Sequence, residues 1–343
     1  MNMRKLVFKC KNKITIILSI LLLIIAGVFI MSAGLGDVKL TPLAVLKVLF
    51  GGGTELDQLV VVDFRLPRII LALFVGMSLA VAGGILQGMV RNPLASPDII
   101  GITAGASTAV VAFLWIFSDG NHALMVSIQW LPVAAFIGST LIAFLVYYLA
   151  WKDGVSPVRL VLIGIGIASL MQAATTMFMI VGPIYRATQA NIWITGSLNG
   201  ATWENVWVLM PWTIVLLLIA FTSARTIDIQ ELGEEVATAV GNNVERSRFL
   251  LLLISTALVG GAVAFAGGIG FVGLMAPHMA RRLVGSSFAA LLPTSACIGA
   301  ILVMAADLIG RTLFSPLEVP AGVFTAAIGA PYFIFLLYKT KSS

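Results

Sequence analysis

Long apolar segments recur along the chain and constrain its fold more than any other sequence feature. Ten such segments occur in the 343 residues, and all but one are about 20 residues long, which is enough for a helix to cross a hydrocarbon layer of roughly 30 Å. They lie near 14–33, 67–90, 98–117, 128–150, 158–181, 205–224, 246–266, 274–285, 289–310 and 320–338. Because an open strand in lipid would leave backbone groups unpaired, each segment is predicted to be a helix.

The composition agrees with a chain that lies in lipid. Apolar residues make up 59% of the sequence and charged residues only 10%, which excludes an ordinary water-exposed surface. The first segment follows a basic leader, as a secretory signal would, but its apolar run is longer than the 7 to 15 residues usual in a signal core. We therefore expect an uncleaved first span and one transmembrane domain over residues 1–343.

The distribution of basic residues predicts the orientation of the ten segments. If both termini are inside, the outside regions hold only Lys39, Lys47, Arg65, Arg68, Arg186 and Arg311, which leaves 15 of the 21 Lys and Arg residues inside. This bias follows the positive-inside rule and predicts that both termini are cytoplasmic. Trp193, Trp203 and Trp207 cluster near the predicted outer boundary, where amphipathic rings favour headgroup depth, although packing within a loop would explain them equally well.

Motifs for enzymatic chemistry are missing or lie in the wrong context. Residues 268–273 match G-x-G-x-x-G, but no strand-helix-strand unit surrounds them, so we do not interpret them as a dinucleotide site. Neither a phosphate-binding loop with Lys nor H-E-x-x-H nor G-x-S-x-G occurs. Two cysteines and two distant histidines suggest no disulfide or metal centre. We expect no catalytic site, cofactor or resident metal, so energy must come from a partner or an ion gradient.

The most polar inside region is a loop over about residues 225–246. Leu232, Val236, Ala239 and Val240 recur three to four residues apart, which predicts a short amphipathic helix that ends at Gly241. Such a helix could insert into a groove on a soluble partner, or it could be a solvated connector. The periodicity alone favours neither interpretation.

A family resemblance favours the first interpretation. The pattern L-G-x-x-x-A-x-x-x-G at 232–241 resembles the ATPase-coupling loop of FecCD/cobalamin-type ABC importer permeases, which serve iron-siderophore, haem and cobalamin uptake. Further matching motifs, in order along nearly the whole chain, are Arg65-Leu66-Pro67-Arg68, Ala82-Gly83 with Gln87, Arg91 to Pro97, Gly101, Trp193 with Gly196-Ser197-Leu198, Gly270 to Leu274 with Pro277-His278, Ala306-Asp307 with Arg311, Glu318 to Gly322, and Gly329-Ala330-Pro331.

The resemblance implies an all-α polytopic fold of about ten transmembrane helices, as in type II ABC importers. It also implies a permease dimer, homomeric or heteromeric, with the substrate path between subunits and the fifth and tenth spans beside it. Two separate ATPase subunits and an extracytoplasmic siderophore-binding protein would be the other partners. The expected cargo is an iron(III)-siderophore, with haem and cobalamin as alternatives that the motifs do not separate. Nothing implies a nucleic-acid partner.

The resemblance also assigns roles to individual residues. The residues expected to couple to the ATPases are Glu231, Leu232, Gly233, Glu234, Glu235, Ala237 and Gly241. Arg65, Arg68 and Arg311 lie on the predicted outer face, where the family's arginines pair with glutamates of the binding protein, because the guanidinium fork grips a carboxylate at two points. The alternative for these arginines is contact with lipid headgroups or local pairing, and for Arg311 the local partner would be Asp307, four residues earlier on one helix face.

Three other polar residues within the spans have weaker assignments. Gln172, in the fifth span, is a candidate for the substrate path, whereas Gln87 is expected to make an interhelical hydrogen bond. His278 has no second ligand nearby and is expected to be a packed histidine at a helix start.

The main rival class is a secondary transporter driven by an ion gradient. Such a protein usually needs ionisable residues near the bilayer midplane, and the sequence places almost none there. A membrane-embedded enzyme or a receptor scaffold is a further rival, and the missing catalytic motifs count against the enzyme.

Overall fold

The computed structural model describes residues 3–118, 125–127, 130–150, 157–181 and 191–340, and the regular elements in these ranges are helices. We number the ten long helices in chain order and name shorter ones by their ranges. The ten are α1 Met3–Gly34, α2 Leu66–Val90, α3 Ile102–Ile116, α4 Leu131–Ala150, α5 Pro157–Val181, α6 Trp203–Thr222, α7 Val244–Ala266, α8 Val272–Val284, α9 Phe288–Thr312 and α10 Ala321–Thr340.

Each of the ten predicted apolar segments is a helix in the structure. Seven of these helices are long and apolar enough to cross a membrane, and α3 and α10 are shorter apolar helices. The remaining helix, α8, has only 13 residues. The prediction of an all-α polytopic membrane fold is therefore confirmed.

Helix α2 is the centre of the bundle and the most buried of the seven long spans. It packs against α9, α7, α8 and α6. Close backbone contact makes this possible, because a Cβ on Gly76 would fall on the carbonyl of Gly299 in α9, and one on Gly83 would fall on the carbonyl of Gly273 in α8. Small residues permit such approach where lipid removes the hydrophobic drive for helices to associate.

Polar side chains also join α2 to its neighbours. The buried hydroxyls of Ser78 and Thr213 lie 3.1 Å apart between α2 and α6. The hydroxyl of Ser255 in α7 donates to the carbonyl of Ala82 at 3.0 Å. Gln87 Nε2 donates to the carbonyl of Leu274 in α8 at 3.3 Å, so the expected interhelical role of this amide is confirmed.

Helices α3 and α8 begin inside the bundle instead of at its surface. After α2 the chain reverses at Arg91, which adopts a left-handed conformation with φ of 54°. Residues 91–101 then return to the level of Leu79, near the middle of α2, because a Cβ on Gly273 would lie 2.9 Å from the Leu79 carbonyl oxygen and 3.0 Å from Pro97 Cδ. Within the described residues, α3 and α8 are therefore two short helices whose N-termini meet close to the middle of α2.

The polar loop between α6 and α7 contains two short helices, Ala224–Glu231 and Glu234–Ala239. The predicted short helix is present as Glu234–Ala239, but it begins after Leu232. Gly233 separates the two helices with φ of +123°, a conformation that a residue with a side chain rarely adopts. We call the end of the bundle that carries this loop the inner end and the opposite end the outer end.

The contact between α2 and α8 predicts a sharp difference between two glycines. Gly83→Ala should lower the free energy of unfolding by about 2 kcal/mol, because its methyl group would occupy the position of the Gly273 carbonyl. Gly27→Ala in α1 is the matched control, since a Cβ there meets nothing within 4 Å. Thermal unfolding of both purified variants in detergent, followed by size-exclusion chromatography, measures the effect. Equal melting temperatures would contradict the close contact.

Candidate functional site

The inner loop presents an apolar surface that the bundle does not cover. Leu232 is 69% exposed, Val236 45% and Val240 63%, whereas Ala237 between them is completely buried. The loop helix closes at Gly241, where the Gly241 N–H donates to Thr238 and the Asn242 N–H to Ala237, both at 2.9 Å. The predicted end of the helix at Gly241 is confirmed. The exposed stripe and the buried alanine thus face opposite sides of this turn.

Three carboxylates of the same loop contact three helices of the bundle. Glu234 pairs with Arg248 of α7 at 3.0 Å, and Glu231 pairs with Arg281 of α8 at 3.3 Å. Asp228, which the sequence analysis did not single out, accepts from the Phe288 N–H at 2.8 Å and so caps the start of α9. Of the predicted coupling carboxylates, Glu234 and Glu235 are both exposed. A displacement of the loop would therefore pull on α7, α8 and α9 together.

The three predicted docking arginines lie together in one cluster at the outer end. We call the outer charge cluster the set Arg65, Arg68, Asp307, Arg311 and Glu318. Arg68 is its hub: it pairs with Asp307 at 2.9 Å and with Glu318 at 3.0 Å. Its Nε also lies 3.0 Å from both oxygens of Asp307. This two-point grip joins α2 to α9 and to the segment before α10.

The other two arginines of the cluster bind carbonyl groups in the last turn of α1 and in the segment that follows it. Arg65 donates to Ala33 at 2.7 Å and to Val38 at 2.5 Å. Arg311 donates to Leu35 at 2.7 Å and to Ser32. The anticipated Arg311 pair with Asp307 is present at 3.9 Å, but Arg68 makes the shorter contact with that carboxylate.

Gln172 is exposed on α5 and borders a polar cavity that lies between α3 and α5 on the exposed side of the bundle. Two adjoining volumes of about 280 and 500 Å³ share Asp98, Ala168 and Gln172 among their lining residues. Thr103 and Ser107 of α3 and Thr175 of α5 complete the polar wall of the smaller volume. We call this region the Asp98 cavity.

Asp98 is a residue that sequence reasoning missed. The expectation of almost no ionisable group at mid-depth does not hold for it, because residues 91–101 fold back into the bundle. The available signal was the pair of breakers Pro97 and Gly101 on either side of Asp98, since Gly101 adopts φ of +84° against α5. A hydropathy scan instead assigns Asp98 to the beginning of a span.

The remaining candidates have structural contacts. His278 lies in the interior of α8, so its predicted place at a helix start is wrong. Its contacts are those of a packed histidine, since it accepts from Arg282 Nε at 3.1 Å and lies edge-on to Tyr332. Gly268 and Gly273 serve backbone packing, because a Cβ on Gly268 would lie 2.6 Å from the Ile194 carbonyl oxygen and one on Gly273 would lie 2.9 Å from that of Leu79. Within the described residues, no group of three His, Cys, Asp or Glu side chains could hold a metal ion.

The sequence is similar to those of known transport proteins. The model of the FecCD transport family matches residues 21–339. A probable siderophore transport system permease protein, YfhA of Bacillus subtilis, is 57% identical over the full length of both chains. The iron(3+)-hydroxamate import system permease protein FhuG of the same organism is 45% identical and covers 96% of this chain and 98% of its own length.

A solved structure has the same fold. A metal-chelate type ABC transporter in an inward-facing conformation aligns with a TM-score of 0.83 and 30% identity, over 94% of this chain and 99% of that chain. The family match spans the region from α1 to α10, including the inner loop, the outer charge cluster and the Asp98 cavity. The chain belongs to the FecCD transport family.

Proposed function

We propose that this chain is the permease subunit of an ATP-binding-cassette importer that carries iron(III)-siderophores across the cytoplasmic membrane. The single observation that carries the proposal is the inner loop, which combines an exposed apolar stripe with ion pairs to α7 and α8. A surface of this kind suits the groove of a soluble partner. The relatives are transport permeases, and two of them are described as serving siderophore or iron-hydroxamate transport.

In this proposal two separate ATPase subunits grip the inner loop and supply the energy. Helix α8 connects that loop to the interior, since Arg281 near its inner end holds Glu231 and its N-terminus lies beside Asp98. A helix of 13 residues is about 20 Å long, so a shift of the loop reaches mid-membrane along one rigid element. ATP binding and hydrolysis would thus favour different arrangements of the bundle around the cavity.

The substrate path is proposed to lie between two permease subunits. Helix α5 is mostly exposed in the single chain, with Leu162, Met177 and Ile180 all above 60% exposure. Because Gln172 shares this exposed helix with large apolar residues, a second permease would cover the apolar part and leave the amide on the path. The second subunit is another copy of this chain or a related permease.

An extracytoplasmic siderophore-binding protein is proposed to dock at the outer end through Arg65, Arg68 and Arg311. Arg68 is the arginine best suited to exchange partners, because one of its two carboxylates, Glu318, is 38% exposed. A glutamate of the binding protein could replace Glu318 there, while Asp307 stays bound. In this orientation both termini and the inner loop face the cytoplasm, in agreement with the positive-inside bias.

The first test of the proposal is transport itself. A strain that lacks this gene should lose uptake of radioactive iron from one or more siderophore classes, and a plasmid copy should restore it. Uptake should stop when cellular ATP is depleted and continue when a protonophore collapses the proton gradient at constant ATP. Loss of uptake with the protonophore alone would favour an ion-gradient transporter, and uptake of only haem or cobalamin would change the substrate.

The exposed stripe predicts a specific loss of coupling. Leu232→Ala should reduce co-purification of the ATPase subunits roughly fivefold and lower chelate-stimulated ATP hydrolysis, because a central apolar anchor is truncated. Leu218→Ala is the matched control, since Leu218 is 60% exposed on the membrane face of α6. The melting temperatures of both permease variants should equal that of the wild type. Normal assembly with Leu232→Ala would contradict the assignment.

The docking surface predicts opposite effects for two neighbouring substitutions. Arg68→Gln should weaken binding-protein affinity roughly tenfold, whereas Glu318→Gln should strengthen it by releasing Arg68 for an incoming carboxylate. Both effects should shrink at high salt. Affinities are measured on complexes in nanodiscs, with thermal unfolding as the control for loss of the buried Asp307 pair. If both variants only lower the melting temperature and leave affinity unchanged, Arg68 has no docking role.

A further inference from the structure

The residues that line the Asp98 cavity affect which chelates can pass through it. This role for the cavity rests on the proposed importer function. The cavity lies between α3 and α5, on the exposed side of the bundle where a second permease would close it. Its polar lining consists of Asp98, Thr103, Ser107, Ser169, Gln172, Thr175 and Thr176. Among the described residues that line the cavity, Asp98 is the one carboxylate and none is Lys or Arg.

The Asp98 carboxylate is held in a fixed position. Thr103 donates its hydroxyl to Oδ1 at 2.8 Å, and the Phe271 N–H donates to the same carboxylate. Thr103 lies in the first turn of α3, and Phe271 immediately precedes α8. Burial disfavours a charged carboxylate, and the partial positive charge at the N-termini of the two helices that point toward Asp98 opposes that cost. These contacts use only part of its acceptor capacity, because an ionised carboxylate offers about four lone-pair sites.

Asp98 remains partly exposed to the cavity. Its neighbours across the opening, Gln172 and Thr176, are also exposed and neutral. A solute in the cavity therefore meets fixed hydrogen-bond acceptors and one negative charge that no cationic side chain of the lining offsets. Such a wall attracts ammonium and N–H donors and repels carboxylates and phenolates.

We propose that Asp98 makes this cavity a charge-selective contact for the cargo and favours neutral or cationic iron chelates over anionic ones. Three monoanionic hydroxamate groups neutralise Fe³⁺, so a trihydroxamate chelate is neutral, or cationic when it carries a free amine. Three dianionic catecholates leave a net charge of −3 on the complex. The substrate class assigned to this chain is therefore the hydroxamate type, with N–H donors directed at Asp98.

The test uses one iron-binding core in three charge states. The probes are a linear ferric trihydroxamate with a free terminal amine, its N-acetyl form and its N-succinyl form, which are cationic, neutral and anionic. Initial uptake into proteoliposomes that contain the complete complex is measured with the binding protein saturated. Each variant's cationic-to-anionic rate ratio is divided by the wild-type ratio, which cancels the selectivity of the binding protein.

Asp98→Asn should lower this ratio about tenfold, a size reasonable for one charge in a partly hydrated site. Glu245→Gln is the charge-matched control: it removes an exposed carboxylate from the first turn of α7 and should leave the ratio within about twofold of the wild-type value. Two substitutions at exposed Gln172 provide a test that does not depend on the fold tolerating Asp98→Asn. Gln172→Glu should raise the ratio and Gln172→Lys should lower it.

Two results would overturn the inference while the proposed function stands. In the first, Asp98→Asn slows all three probes equally and the two Gln172 variants leave the ratio unchanged, which would make Asp98 only an anchor for α8. In the second, the wild-type complex transports catecholate chelates and rejects all three hydroxamates. If ATP drives uptake of no iron chelate at all, the proposed function fails and the inference fails with it.

Discussion

The close backbone contact of α2 with α8 and α9 is the constraint on which the rest of the structure depends. Because lipid is as apolar as leucine, helices here are held by shape and by buried polar contacts. At Gly76 and Gly83 two helix backbones come so near that no side chain fits between them. This contact fixes α8 against the middle of α2 and leaves a 13-residue helix, too short to cross a membrane alone, with its N-terminus buried in the bundle.

The position of α8 connects the two ends of the proposed mechanism. At the inner end of α8, Arg281 forms an ion pair with Glu231 of the inner loop. At its buried end, the backbone N–H of Phe271 donates a hydrogen bond to Asp98. A helix that ends inside a membrane must have its first N–H groups satisfied, and Asp98 accepts from the residue that precedes α8. The same carboxylate therefore caps a part-depth helix and faces the cavity, so a movement of α8 would alter the wall that the cargo touches.

Helix positions were predictable from the sequence because apolar length is a local property. The bounds of α2 and α5 lie within one residue of the predicted segments. Long-range placement was not predictable: Arg68 is 239 positions from Asp307, and periodicity gives no information about such a pair. The break at Gly233 and the depth of Asp98 were missed for a related reason. In each case a residue with positive φ, Gly233 or Arg91, redirects the chain, and hydrophobic periodicity does not report backbone direction.

The carboxylates of Asp307 and Asp98 differ in the groups that surround them. In the outer charge cluster Arg68 and Arg311 surround Asp307, so that site is nearly neutral and its carboxylate is only 2% exposed. A buried carboxylate matched by arginines joins helices, because the loss of one partner leaves the other charge uncompensated. Asp98 receives only a hydroxyl and a backbone N–H, and it remains partly exposed. A carboxylate with no cation in its wall contributes little to joining helices, but it can select the charge of whatever passes it.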